Sequence, residues 1–278
     1  MSLGLVELGL IELVHGESRA TISSVRGGLT ARFDVGTRHV LYLDAATFED
    51  PAKNVRGGIP VLFPTPGKLA DDHWKFAAYE GTQPQHGFAR MEPWQVIGKD
   101  ARSVTLRLDQ PATPGWPWPC SLQIRYVLTG ATLRLEPSVT NRGSTDMPFG
   151  LGFHPYFAVA QADKATMRIP TRARHAWDNV QKKAIELSSH IDLSQKEVDL
   201  HLEDHGGSRA QLVWADGKTV TLAACAELAR WVIWTLADRD FVCLEPWTCP
   251  GNALNTGAQL LVLPPNETRD FWLDIVAG

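Results

Sequence analysis

The stretch Ser121-Leu-Gln-Ile-Arg-Tyr-Val-Leu-Thr-Gly-Ala-Thr-Leu-Arg-Leu-Glu-Pro-Ser-Val139 alternates with period two on both sides of Thr129-Gly130. Leu122, Ile124, Tyr126 and Leu128 fall on one face, and Gln123 and Arg125 on the other. An alternation of this kind, reversed across a glycine turn, predicts an antiparallel hairpin with one face on a core. Similar runs lie on either side. Ala20–Val25 and Leu29–Val35 flank Arg26-Gly27-Gly28, and His39–Leu43 continues the meander. Trp94–Gly98, Ser103–Leu108, Gln211–Trp214, Thr219–Leu222, Trp231–Leu236, Phe241–Glu245, Leu260–Leu263 and Thr268–Ile275 read the same way. Asp216-Gly217 is a strong hairpin turn. Helical periodicity is nearly absent, with one or two turns expected at Ala223–Ala229. Many short strands joined by turns predict a large antiparallel sandwich or barrel.

No shift in composition marks a boundary, so residues 1–278 are read as one domain. Lys plus Arg is 27 and Asp plus Glu 31, a formal net charge of -4. That balance argues against nucleic acid or an anionic membrane surface as partner. Cys120, Cys225, Cys243 and Cys249 form no C-x-x-C pair and read as free thiols of a reducing compartment. Met1–Val14 lacks the basic start and long apolar run of a signal peptide, and no stretch is long enough to span a bilayer. The expectation is a soluble cytoplasmic protein. Ten tryptophans are spread along the chain. Most suit packing, and a few in loops suit the C–H face of a sugar.

Ionisable residues cluster in unusual settings. His154 sits in Phe149-Gly-Leu-Gly-Phe-His-Pro-Tyr-Phe157, among glycines, a proline and large apolar groups. Glu245 ends the apolar run Phe241–Leu244 ahead of Pro246-Trp247, where a carboxylate is expensive to bury unless paired or used. Arg56 opens Arg56-Gly-Gly-Ile-Pro-Val-Leu-Phe-Pro64. His86 and Arg90 lie in Gln85-His-Gly-Phe-Ala-Arg90, and Asp199 in Glu197-Val-Asp-Leu200. Each has a bland alternative: a core histidine, a loop-capping arginine, a solvated aspartate, a Glu245–Arg90 salt bridge. An acid/base pair of His154 and Glu245 outweighs those alternatives. No serine elbow and no glycine-rich phosphate loop appears. His86, His154 and Glu245 are metal-type donors, but no close H-x-H or H-x-x-E pair supports a metal site.

At these residues the sequence resembles the galactose mutarotase-like family, the aldose 1-epimerases and hexose-6-phosphate mutarotases. The matching segments are Arg56–Pro64, Gln85–Arg90, Gly152–Phe157 and Cys243–Trp247, four in order along almost the whole chain. The resemblance implies an all-β supersandwich with an open cleft on one sheet, and no metal or organic cofactor. It places the general base on Glu245 and the general acid on His154, with His86, Arg56 and Asp199 binding substrate. It implies a small sugar as partner, a hexose or a hexose 6-phosphate. Lys68 and Arg90 are candidate cations for a phosphate. A nearby carboxylate is expected to favour the protonated His154. Two rivals keep the scaffold and change the role: a carbohydrate-binding protein without turnover, and a lyase or hydrolase.

Overall fold

The structure is a computed structural model that describes residues 8–278. Among these, strands dominate, and the α-helical turns are the short Ala45–Phe48 and Ala253–Thr256. Two eight-stranded antiparallel sheets form the body. The first runs Arg209–Val213, Thr219–Ala224, Leu273–Ala277, Thr132–Asn141, Cys120–Thr129, Ser103–Gln110 and Gln95–Lys99, with Thr268–Asp270 also on Thr132–Asn141. The second runs Lys183–Glu186, His175–Asp178, Glu197–Leu202, Arg230–Leu236, Phe241–Trp247, Gly152–Phe153 and Val61–Leu62, with Tyr156–Ala158 also on Phe241–Trp247.

The hairpin that opens the reading pairs Leu128 with Leu133 and Cys120 with Asn141. Leu122, Ile124, Tyr126 and Leu128 share one core with Ile233, Val242 and Leu244 from the second sheet. That packing of one sheet on another makes the fold a sandwich, because each face must bury the apolar half of its alternation. The central strands of the second sheet are apolar on both faces: every residue of Phe241–Trp247 is buried. Val242 and Leu244 point to the core, while Phe241, Cys243, Glu245 and Trp247 serve the opposite face.

Several expectations shift. The alternating Met1–Val14 yields the strand Leu10–His15, and residues 1–7 lie outside the described residues. His39–Leu43 is no continuous strand. Arg38–His39 pairs with Val35 and Asp34, and Leu41 and Leu43 make isolated bridges to Phe157 and Gly57. Ala223–Ala229 is not helical: Ala223 and Ala224 end a strand, and a turn follows. Pairing of Ala223 with Arg209 and Asp274, and of Ala224 with Leu273, holds that backbone extended. The irregular Asp44–Phe88 contains a helical turn, the strand Val61–Leu62 and a small hairpin of His73–Phe76 with Tyr79–Thr82. No helix of the described residues is long and apolar enough to cross a membrane.

Candidate active site

The four segments singled out in the sequence meet because their backbones bond to one another. Gly152 is paired on one side with Leu62 and on the other with Trp247. His154 donates its N–H to the Pro60 carbonyl at 3.1 Å, and Tyr156 to Gly58 at 2.9 Å. His86 donates its N–H to the Gly67 carbonyl at 2.8 Å. Gly87 abuts the Phe63 carbonyl so closely that a Cβ there would lie 2.2 Å from its oxygen, so only glycine fits. The result is a cleft of about 890 Å³ on the outer face of the second sheet. Its lining includes Arg56, His86, Arg90, His154, Asp199 and Glu245, all six residues expected from the sequence.

At the floor, His154 Nε2 lies 3.4 Å from Glu245 Oε1. Trp247 Nε1 donates to Glu245 Oε2 at 3.1 Å, which fixes the carboxyl's orientation. The imidazole stacks on Tyr156 with ring centres 4.6 Å apart and planes 8° from parallel. The His86 and Trp234 rings meet it edge-on at 5.5 and 5.7 Å. His154 therefore has one orientation available. Glu245 is mid-strand rather than terminal, because the strand runs on through Trp247. It pairs with His154, not with Arg90.

Glu245 is 1% exposed and His154 8%. Burial pushes the Glu245 carboxyl well up, helped by the charge of Asp199. Burial draws His154 down to about 3, helped by the charge of Arg90. This corrects the expectation of a protonated imidazole: desolvation outweighs the neighbouring carboxylate. Burial thus favours the uncharged form of both members of the pair. Transfer of a proton from the carboxyl to Nε2, two atoms 3.4 Å apart, would generate a carboxylate and an imidazolium with no change in proton count.

His86 has φ +69° and accepts the Gly67 N–H on Nδ1 at 3.0 Å. Nδ1 being occupied as an acceptor, Nε2 carries the ring proton and serves as a donor. The Gln85 amide end lies 3.2 Å from it, and with the amide turned so that its oxygen faces the ring it accepts that proton. Burial and the nearby His154 keep His86 neutral. Asp199 is held between Asn179 Nδ2 at 2.7 Å and His201 Nε2 at 3.3 Å. Burial would raise its pKa, but those two bonds hold it below the usual carboxylate range. It sits within the strand Glu197–Leu202, not in a loop.

His201 was not singled out in the sequence. The signal was there: Asp199 and His201 are two apart in a strand and so share a face. Trp177, His201, Val232 and Glu245 are successive cross-strand partners, so His201 stands two strands from Glu245, roughly 10 Å away. Its ring meets Trp247 edge-on at 5.2 Å. Among the tryptophans, Trp74, Trp116, Trp118 and Trp231 are core, while Trp177, Trp234 and Trp247 line the cleft.

Metal-type donors do converge, in a different set from the one weighed in the sequence. His154, Cys243 and Glu245 offer one donor atom each within 4.8 Å of one another. Burial keeps the Cys243 thiol protonated, so any divalent ion held there would have to displace protons from both thiol and carboxyl.

Comparison with known proteins agrees with the geometry. The Slr1438 protein of Synechocystis sp. PCC 6803 has a structure that superposes with a TM-score of 0.93 at 33% identity, over 97% of this chain and 95% of that one. The Escherichia coli protein YihR is 26% identical over 290 residues, covering 95% of this chain and 92% of its own. A galactose mutarotase-like protein of Lactobacillus casei shares the fold with a TM-score of 0.77 at 21% identity, over 97% of this chain and all of its own. The family model described as aldose 1-epimerase matches residues 9–275. This chain belongs to the aldose 1-epimerase family, and it is an isomerase of that type.

Proposed function

We propose that the protein interconverts the α and β anomers of a hexose by acid/base ring opening, with Glu245 as base and His154 as acid. The observation that carries the reading is a carboxyl and an imidazole 3.4 Å apart at the floor of a polar cleft. Ring opening removes the proton of the anomeric hydroxyl and delivers one to the ring oxygen as the C1–O bond breaks. The carboxylate of Glu245 takes the first proton and His154 supplies the second, so the pair ends with the one proton it began with. Rotation about C1–C2 exposes the other face of the aldehyde, and closure runs the two transfers in reverse. His86 Nε2–H, Asp199, Arg56 and Arg90 line the same cleft and fix the remaining hydroxyls. The activity is tested by polarimetry of freshly dissolved α-D-glucose and α-D-galactose. Rotation should relax faster than in buffer alone, and saturable binding with no acceleration would favour a binding protein instead.

A hexose 6-phosphate is the second reading, favoured by charge. Arg56, Lys68, Arg90, Lys182 and Arg230 all line the cleft. The bonds that three of them make go to neutral oxygens: Arg90 to the Gln85 carbonyl, Lys182 to Asn179 Oδ1 and Arg230 to Gln259 Oε1. Cations left without a carboxylate partner suit an anionic group on the substrate. Exchange NMR on glucose and glucose 6-phosphate, compared by kcat/KM, separates the two.

A further inference from the structure

We infer that the turn Arg26-Gly27-Gly28 is a positioning element for two of the arginines that line the cleft, Arg56 and Arg90, and so sets substrate affinity from outside the site. This rests on the reading of the cleft as a sugar site. Arg26 is buried, and its guanidinium donates to four carbonyls of one loop: Pro51 at 3.2 Å, Thr47 at 3.1 Å, Asp50 at 2.9 Å and Lys53 at 2.8 Å. That loop ends on Arg56. The Arg56 N–H donates to Thr47 Oγ1 at 2.9 Å, and its carbonyl accepts the Asp44 N–H at 2.9 Å. Thr47 therefore links the two arginines: its carbonyl holds Arg26 and its hydroxyl holds the Arg56 backbone.

The next residue serves Arg90. Gly27 has φ +72°, and a Cβ built on it would lie 2.2 Å from the Arg90 carbonyl oxygen and 2.5 Å from its Cα. The Arg90 backbone rests against the missing side chain, and any larger residue must move it. Gly28 completes the anchor by accepting the Tyr126 hydroxyl from the central hairpin. The two loops are thus referenced to the rigid first sheet through three consecutive residues. Both arginine charges act on the Tyr156 phenol, which stacks on the His154 ring. A shift of either arginine changes the wall facing the acid, and a shift of Arg90 also changes the charge acting on His154, while Arg26 and Gly27 themselves contact neither Glu245 nor His154.

The test measures kcat and KM for D-glucose and D-galactose mutarotation in Arg26→Ala, Arg26→Lys, Gly27→Ala and Thr47→Ala. It also measures hydrogen–deuterium exchange of residues 44–56 and 85–91. Arg26→Ala and Gly27→Ala should raise KM about 10-fold or more while kcat changes less than about 3-fold, with Arg26→Lys intermediate. Exchange should quicken in 44–56 for the Arg26 variants and in 85–91 for Gly27→Ala. Should Arg26→Ala fail to fold, Arg26→Lys and Thr47→Ala carry the same expectation. Wild-type KM throughout, or a fall in kcat with KM unchanged, overturns the inference. An inactive wild type counts against the sugar reading alone, because loop exchange reports the anchoring without turnover.

Discussion

Glu245 and His154 lie 3.4 Å apart, and burial would keep each of them uncharged. Under the proposed mechanism, catalysis and stability therefore pull on the same carboxyl. Its folded pKa lies well above the ordinary 4.5, so its contribution to stability is fully present below pH 4.5 and is lost as pH rises through the folded value. Glu245→Gln removes that loss. The variant should gain on wild type in thermal midpoint as pH increases above 4.5, measured by thermal melts between pH 4 and 9. A constant difference across that range would show that the carboxyl is not held protonated. The identities of these two residues were legible from their apolar surroundings. Their protonation was not, because it depends on how much water the folded cleft excludes, and no local pattern encodes that.

The strand Glu197–Leu202 shows what alternation does for a site. Val198, Leu200 and Leu202 go to the core, so Asp199 and His201 must face the cleft, where His201 bonds Asp199. Removing that bond with His201→Ala should free the carboxylate and raise KM about 3- to 10-fold with kcat little changed, read from initial mutarotation rates. An unchanged KM would mean Asp199 does not bind substrate. The long hairpin and the turn at Asp216-Gly217 were readable because their signals are local. The strands Gly152–Phe153 and Val61–Leu62 were not. Each is two residues long and exists only because neighbours far away in the chain flank it. The same holds for His39–Leu43, whose backbone bridges to Phe157 and Gly57 instead of extending a ladder.

Across the molecule, two sheets share one core, and the cleft lies on the outer face of one of them. The four cysteines are free, with Cys120, Cys243 and Cys249 buried and Cys225 half-buried. Burial pushes the Cys120 and Cys249 thiols up to about 12 and Cys243 well above its ordinary value. A chromogenic disulfide reagent at pH 8 should therefore find four thiols in denatured protein, and in native protein only Cys225 reacting readily. Fast reaction of a second native thiol would show that the sandwich opens. The sandwich itself was legible as many alternating runs, whereas the open cleft followed only from the family resemblance, since it forms where segments far apart in the chain bond to one another. The most direct measurement of the central claim is anomer exchange by two-dimensional NMR on equilibrated D-glucose and D-galactose, comparing wild type with Glu245→Gln and His154→Asn. Wild type should catalyse exchange, and each substitution should slow it by about 10² to 10⁴. Exchange as fast in Glu245→Gln as in wild type would contradict the account.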